Sequence, residues 1–465
     1  MPKLSSPLAM IVDFSFSNFR SWKTKADFTM IAGKSDKREE TLLTPREDLT
    51  LLPLSAIYGA NASGKSNFIR AILTLQQMVI SGQPVYDCFR LEPGMKEEPS
   101  VFTIVFLAPA SRDSVGATSK ELIKFRYEVH IKSQGGKSFV SYEELVDLDT
   151  REAYESAVDK EQYKKEHSAT SNVNFDGLIF RKKCNSNENA SVELTVYLTQ
   201  LASLTNAHMM GLFLNMGKVF QLPFLSDVCR WFSDCLHVMT PAYHNWNTLK
   251  IFQQYPDQCN RALQSVDTDI DEMKVKSVVI DENHYNKEFI DWIKGIPADT
   301  IYSDGKSYVK QNGRIIEYSL CPLHRDSDGN QIEFNMQDES DGTRRFISLL
   351  GMMVHDQEPK GPRTDVFIID ELERSLHPEL FKCIINKHLE RVASHDECSH
   401  AQLIFTTHNA LILSEQIFRA DELWGIEKLN SESTMYSFAE YAEAESDKNL
   451  MRSYLRGRLG AVPNL

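Results

Sequence analysis

No apolar run in this sequence approaches the roughly 18 residues that span a bilayer as a helix. LAMIV (8–12) is too short for the apolar region of a signal peptide before Asp13 interrupts it. The eight cysteines, at 88, 184, 229, 235, 259, 321, 383 and 398, form no Cys-x-x-Cys, which argues against a zinc knuckle or a redox pair. Thiols scattered in this way suit a reducing cytoplasm, and no membrane partner is expected. The thirteen histidines include no His-Glu-x-x-His. Positive charge is in deficit, with 51 Lys and Arg against 65 Asp and Glu, a net charge of −14. A chain this acidic is not built to coat nucleic acid over its whole surface, although a local basic channel stays open. Internal repeats and low-complexity tracts are also missing.

What is there is globular. At 465 residues, 42% hydrophobic and 25% charged, the chain can bury a core without disulfide or metal staples, as about three domains or one domain with an insertion. Residues 11–33 read as strand pieces around NFRSW (18–22). LSAIYGANASGKSNFIRAILTLQQMVI (54–80) is an apolar strand, a Gly-bearing loop and a helix with Phe68, Ile69, Ile72, Leu73 and Leu75 facing inward. VFTIVFL (101–107), IKFRYEVHI (123–131), FVSYEELVDL (139–148) and GLIFRKK (177–183) alternate as strands, and the charged stretch 151–172 reads as a solvated loop or short helix. ELTVYLTQLASL (193–204) and FLSDVCRWFSDCLHVM (224–239) read as helical. Alternation resumes over 301–336, with hairpin turns at Asn312-Gly313 and Asp328-Gly329. VFIID (366–370), a helix, LIFTTH (403–408), a helix and LWGIEK (423–428) form βαβα text, which implies a parallel sheet covered on both faces.

The strongest chemical signal is Gly59-Ala-Asn-Ala-Ser-Gly64-Lys65-Ser66, a G-x-x-x-x-G-K-S loop between strand and helix. Its glycines let backbone N–H groups curl around phosphate oxygens, Lys65 reaches the outer phosphates, and Ser66 offers a hydroxyl to Mg²⁺. Val366-Phe-Ile-Ile369-Asp370-Glu371 ends an apolar strand in two carboxylates. In a parallel sheet the ligand lies beyond the carboxyl ends of the strands, so Asp370 is expected to orient Mg²⁺ and Glu371 to polarise an attacking water. His408 closes another such strand, where its imidazole can touch a γ-phosphate. Ser340 and Gly342, in Glu339-Ser340-Asp341-Gly342-Thr343, precede the helical text 344–354. As bare sequence they read as an N-cap first and an anion site second.

This order of motifs resembles the ABC-type ATPase heads, and G-x-N-x-x-G-K-S-N (59–67) with NFRSW is similar to their RecF, SMC and OLD branch. NFRSW, ESDGT, DELERSLHP (370–378), IFTTH and YLRGRLGAVP (454–463) resemble stand-alone ATPases of bacterial abortive-infection and phage-defence operons. The resemblance implies an α/β P-loop ATPase head of mixed and parallel sheet with flanking helices, a β-rich arm and a helical insertion. It divides the chain into 1–95 and 301–465 as the two parts of the head, 96–183 as the β-rich lobe and 184–300 as the helical insertion. It implies ATP and Mg²⁺ as ligands, with Gly59, Asn61, Gly64, Lys65, Ser66, Asn67, Ser340 and Gly342 on the nucleotide, Ser66 and Asp370 on the metal, and Glu371 and His408 in catalysis. Ser340 and Gly342 would be the signature that reaches a nucleotide held by a second subunit. Glu339 and Asp341 depart from the commonest form of that signature, and no Gln stands where the glutamine loop of such heads is wanted. The resemblance also implies head-to-tail homo-oligomers, a separate nuclease or toxin effector from the same operon and a phage-encoded trigger.

Two other readings come from different classes. A DNA-repair ATPase would use the clusters Lys120, Lys124 and Arg126; Arg181-Lys182-Lys183; and Arg452, Arg456 and Arg458 on DNA. A nuclease would use DTDID (267–271) as metal ligands.

Overall fold

A run without alternation of exposed and buried positions needs cover on both faces, and Leu54–Gly59, Val366–Ile369 and Gln402–Thr406 are buried at every residue. They are the centre of a seven-stranded sheet ordered Tyr243–His244, Leu236–Thr240, Val366–Ile369, Gln402–Thr406, Leu54–Gly59, Leu423–Leu429 and Glu432–Ser437. The five inner strands are parallel and each edge strand is antiparallel to its neighbour. The computed structural model describes residues 9–35, 37–110, 121–156, 178–186, 189–194, 212–215, 223–241, 243–244, 248–281, 286–295, 300–303, 306–311, 313–354, 365–394, 401–415, 417–441 and 450–462. These fall into two units, one of Met1–His244, Pro359–Leu372 and Leu389–Leu465, the other of Asn245–Glu358 and Glu373–His388.

The first unit holds the parallel sheet and a second, antiparallel one. The latter runs Asn189–Leu194, Leu178–Ser186, Lys137–Asp147, Glu121–Gln134, Ser100–Ala110, Met10–Ser17 and Ala26–Thr29. The helix Lys65–Ser81 buries Phe68, Ile69, Ile72, Leu73 and Leu75 as its spacing predicts. Phe68 meets Phe14, Phe16 and Phe28 with ring centroids 5.9, 6.0 and 5.4 Å away, so one helix joins the phosphate-loop strand to the antiparallel sheet. At the start of Gln402–Thr406, the buried Gln402 side chain accepts from Ile11 N–H at 2.7 Å and donates to Ile11 O at 3.0 Å. It completes the backbone of Ile11 beside the irregularity between Ile11 and Asp13.

The stretch 184–300 departs from the helical insertion expected there. FLSDVCRWFSDCLHVM is a helix over Pro223–Arg230, a single π turn over Trp231–Cys235 and then the strand Leu236–Thr240, which joins the parallel sheet beside Val366–Ile369. The π turn carries the adjacent rings of Trp231 and Phe232 into the core. The antiparallel hairpin Leu178–Ser186 with Asn189–Leu194 also extends past residue 184. Thr407, where a helix was expected to follow after the strand, leads instead into a 3₁₀ segment, Ala410–Glu415. The reading of 195–204 as helical, most of the charged stretch (157–172) and the turn residue Asn312 lie outside the described residues.

The second unit is built on an antiparallel sheet of Glu272–Val279, Arg314–Arg325, Lys306–Gln311 and Thr300–Ser303, with Gln331–Glu333 added to Arg314–Arg325. Its hairpins turn where the Gly313 and Asp328-Gly329 signals place them. The strand Glu272–Val279 is a further departure from an all-helical 184–300. Helices Thr248–Gln254 and Pro256–Gln264 pack on the helix Asp341–Met353.

In the first unit, Arg419 is fully buried and donates to the carbonyls of Ser35, Lys37 and Gly33 at 3.2, 2.6 and 3.1 Å. Glu422 accepts from Arg419 N–H at 2.8 Å, and burial pushes its carboxyl from the ordinary 4.5 up to about 8. The folded state therefore holds a proton that the unfolded chain has released, and this contribution is lost as pH rises from about 4.5 through 8. Glu422→Gln keeps the acceptor and removes the titration. Relative to the parent it should gain stability as pH rises from 5 to 8, by on the order of 4 kcal/mol at the upper end, read by denaturant unfolding at both pH values. A constant difference across that range would remove the buried carboxyl as the cause.

Candidate functional site

Gly59 ends a strand, and the chain must then reverse before the helix opens at Lys65. A Cβ on Gly59 would stand 2.5 Å from Ser63 Oγ and 2.6 Å from Ile426 O, and Gly64 has φ 121°. Only glycine fits either place. The result is a loop closed on itself, with Ser63 N–H donating to Ala60 O at 3.2 Å and Ala62 in the left-handed region at φ 62°. Lys65 is 7% exposed, and its Nζ donates to Gly59 O at 2.7 Å and Ala60 O at 3.0 Å, so the ammonium caps the loop it follows. Asn61 is exposed at the apex, and Ser66 is half-buried in the first helical turn. Asn67 donates to Ser21 Oγ at 2.9 Å, a side chain of NFRSW, which places Asn67 in the support of the loop.

Asp370 lies one residue beyond its strand, 3% exposed. Its N–H donates to Met239 O at 2.8 Å, and its Oδ1 accepts from Thr406 Oγ1 at 2.7 Å. The same Thr406 hydroxyl accepts from Glu371 N–H at 2.8 Å. Thr406 is fully buried and carries both carboxylate residues on one oxygen. Glu371 has φ 52°, a left-handed conformation costly for a non-glycine residue, and the Thr406 bond helps to hold it there. The sequence singles out His408 by its place at the end of the apolar strand LIFTTH and not Thr406, although a polar residue at the end of a buried strand is itself a signal. His408 is exposed, directly after the buried Thr407, whose N–H donates to Ile57 O at 3.0 Å.

Thus the first unit brings the phosphate loop, Asp370, Glu371 and His408 to the carboxyl end of one sheet, where ligands of parallel sheets bind. A glycine-walled loop at a helix N-terminus fits phosphate, and a hydroxyl at Ser66 with a buried carboxylate at Asp370 is a hard oxygen donor set that fits Mg²⁺.

Ser340 and Gly342 lie in the second unit. Ser340 is the N-cap of Asp341–Met353, its Oγ accepting from Thr343 N–H at 3.1 Å. A Cβ on Gly342 would stand 2.9 Å from Ser375 O, so glycine there serves the close approach of the DELERS backbone. Glu339 is held by His324 at 2.7 Å. Several residues of the alternative readings are engaged elsewhere, and Lys120 lies outside the described residues. Lys124 pairs with Glu152 at 2.8 Å, Arg126 and Arg181 both pair with Glu144, and Asp271 accepts from Arg325 at 2.8 Å and Gln331 at 2.7 Å. Among the described residues no group of three or more His, Cys, Asp and Glu could hold a metal, and no helix is long and apolar enough to cross a membrane.

The family model described as "AAA domain, putative AbiEii toxin, Type IV TA system" matches residues 54–197 and 229–414. A solved structure titled "Crystal structure of the SmcHead bound to the C-winged helix domain of ScpA" is similar at 12% identity and a TM-score of 0.34, covering 92% of this chain and 97% of that one. No curated protein matches the chain.

Thr406→Val keeps shape and removes the shared hydroxyl. The nucleotide hydrolysis proposed below should fall about 10- to 100-fold through misplacement of the two carboxylates, while nucleotide affinity stays within about threefold, since the phosphate loop is untouched. Single-turnover kinetics with parallel binding titrations separate the two, and parental turnover by Thr406→Val would show that this bond positions nothing.

Proposed function

The chain belongs to the AAA-domain family described as putative AbiEii toxin of type IV toxin–antitoxin systems, an ABC-like P-loop ATPase family, and from that premise we propose that it hydrolyses ATP as a molecular switch. The observation that carries this reading is the joint placement of the phosphate loop and the Asp370–Thr406–Glu371 group at one end of the parallel sheet. Gly59 and Gly64 allow the tight turn that shapes the loop for phosphate, and Lys65 exchanges carbonyl oxygens for phosphate oxygens of higher charge. Ser66 and Asp370 would hold Mg²⁺, which when bound neutralises charge on the terminal phosphates. Glu371 takes the proton of the attacking water, and its constrained backbone fixes the direction of the carboxylate. His408, exposed at the neighbouring strand end, donates toward the γ-phosphate.

In the wider reading, two heads join head-to-tail, with Ser340 and Gly342 of one subunit completing the nucleotide site of the other. ATP then controls assembly and, through it, a separate nuclease or toxin of an anti-phage system that responds to a phage-encoded trigger. The family description, with its abortive-infection and toxin–antitoxin context, supports a role in such a system.

Lys65→Ala should abolish ATP binding without unfolding the chain. Glu371→Gln should bind ATP but turn over about 10²–10⁴-fold more slowly, and accumulate as a closed oligomer by light scattering with ATP. Parental turnover by Glu371→Gln would move the general base elsewhere. Mixing Lys65→Ala with Ser340→Arg subunits should recover activity that neither has alone; failure at every mixing ratio would overturn the shared site.

A further inference from the structure

Two serines far from the phosphate loop in sequence close a hydrogen-bonded bridge across it. Ser433, fully buried just past the turn of the hairpin Leu423–Leu429 with Glu432–Ser437, has its Oγ 2.6 Å from Ser63 O and 2.9 Å from Ser21 Oγ. Asn67 Nδ2 donates to Ser21 Oγ at 2.9 Å. A hydroxyl has one proton, and a carbonyl only accepts. Ser433 therefore donates to Ser63 O, Ser21 donates to Ser433, and Asn67 donates to Ser21. The direction of every bond is fixed, from the first turn of the helix back to the loop.

The end of this relay decides the orientation of one peptide unit. In a trans peptide the C=O of residue 63 and the N–H of residue 64 point to opposite sides. With Ser63 O drawn toward Ser433, the Gly64 N–H faces away from the hairpin. The hairpin packs closely here: a Cβ on Gly64 would collide with Ser433 Oγ and lie 2.9 Å from its Cβ, so only glycine fits beside the bridge. The hairpin is anchored independently of that hydroxyl. Ser433 N–H donates to Ser21 O at 2.8 Å, Tyr436 OH to Leu459 O at 2.9 Å, and Ala461 N–H to Glu427 Oε1 at 2.6 Å.

We propose that Ser433, acting with Ser21, is a positioning residue for nucleotide binding: the Asn67–Ser21–Ser433–Ser63 relay holds the Ser63–Gly64 peptide with its N–H presented to the nucleotide phosphates. This rests on the ATPase reading. Without the Ser433 hydroxyl, Ser63 O loses its donor and the loop samples orientations that do not bind, so apparent affinity falls by the fraction that remains competent. The chemistry, which belongs to Asp370 and Glu371, is unaffected.

The test uses the full chain. Ser433→Ala should raise the KM for ATP, and the Kd of a fluorescent ATP analogue, roughly tenfold, with kcat within about twofold. Ser21→Ala should act in the same direction, and the double variant should bind no worse than the weaker single one, because both interrupt one chain of bonds. If Ser433→Ala does not fold, Ser21→Ala, half-buried, carries the same expectation. A parent that binds ATP together with a folded Ser433→Ala that binds equally well overturns the relay alone. A fall in kcat at constant KM, or strictly multiplicative losses in the double variant, also overturns it. A parent that binds no ATP overturns the ATPase reading and the relay's role with it.

Discussion

The register between Gln402–Thr406 and its two neighbours is the constraint on which the site depends. In a sheet buried on both faces the apolar pattern does not resist a slip of the strands, since every position accepts an apolar side chain. Polar residues at the two ends of this strand do. Gln402 is bonded to Ile11 at one end and Thr406 to Asp370 at the other, and both are fully buried. A slip of one residue would leave those groups unpaired, at about 1–3 kcal/mol each. Thr406 pairs with Ile57, and Ile369 with Phe405, so Gly59 and Asp370 arrive at the same end of the sheet, one on either side of this strand, from remote parts of the chain.

Once the strands are level, the chemistry is a matter of which backbone groups are turned outward. Glu371 occupies a left-handed conformation and Gly64 one reserved to glycine. Both depend on a hydroxyl brought by a different segment, Thr406 for the carboxylates and Ser433 for the loop. The acidic end and the phosphate end of the site are therefore supported by separate small devices. The two ends can then be altered independently by substitution.

Much of this was legible because the relevant text is local. The phosphate loop, the apolar strand before Asp370-Glu371 and the strand before His408 each carry their meaning within ten residues, and the helical spacing of 65–81 matches its buried face. The parallel sheet follows from the βαβα order. What local text could not show was the destination of Leu236–Thr240, a short apolar run behind a helix, whose entry into the central sheet depends on Val366–Ile369 more than a hundred residues later. Ser21 and Ser433 were illegible for a related reason. Each is an ordinary serine in its own neighbourhood, and only the fold brings them to the loop. The likeness places Asn67 on the nucleotide, and the fold adds a bond from its amide to Ser21 that no local text announces.

The hairpin that completes the phosphate loop also dates it. Ser433 lies 370 residues after Ser63, so on a ribosome working at about 5–20 residues per second the loop waits roughly 20–75 s for its last support. The strands Val366–Ile369, Gln402–Thr406 and Leu423–Leu429 emerge in the same late interval, and the Leu54–Gly59 strand has no parallel partner before them. A nascent or truncated chain thus carries the full phosphate-loop text without the scaffold that shapes it. The loop therefore takes its final shape only after residue 433 has emerged, long after its own residues.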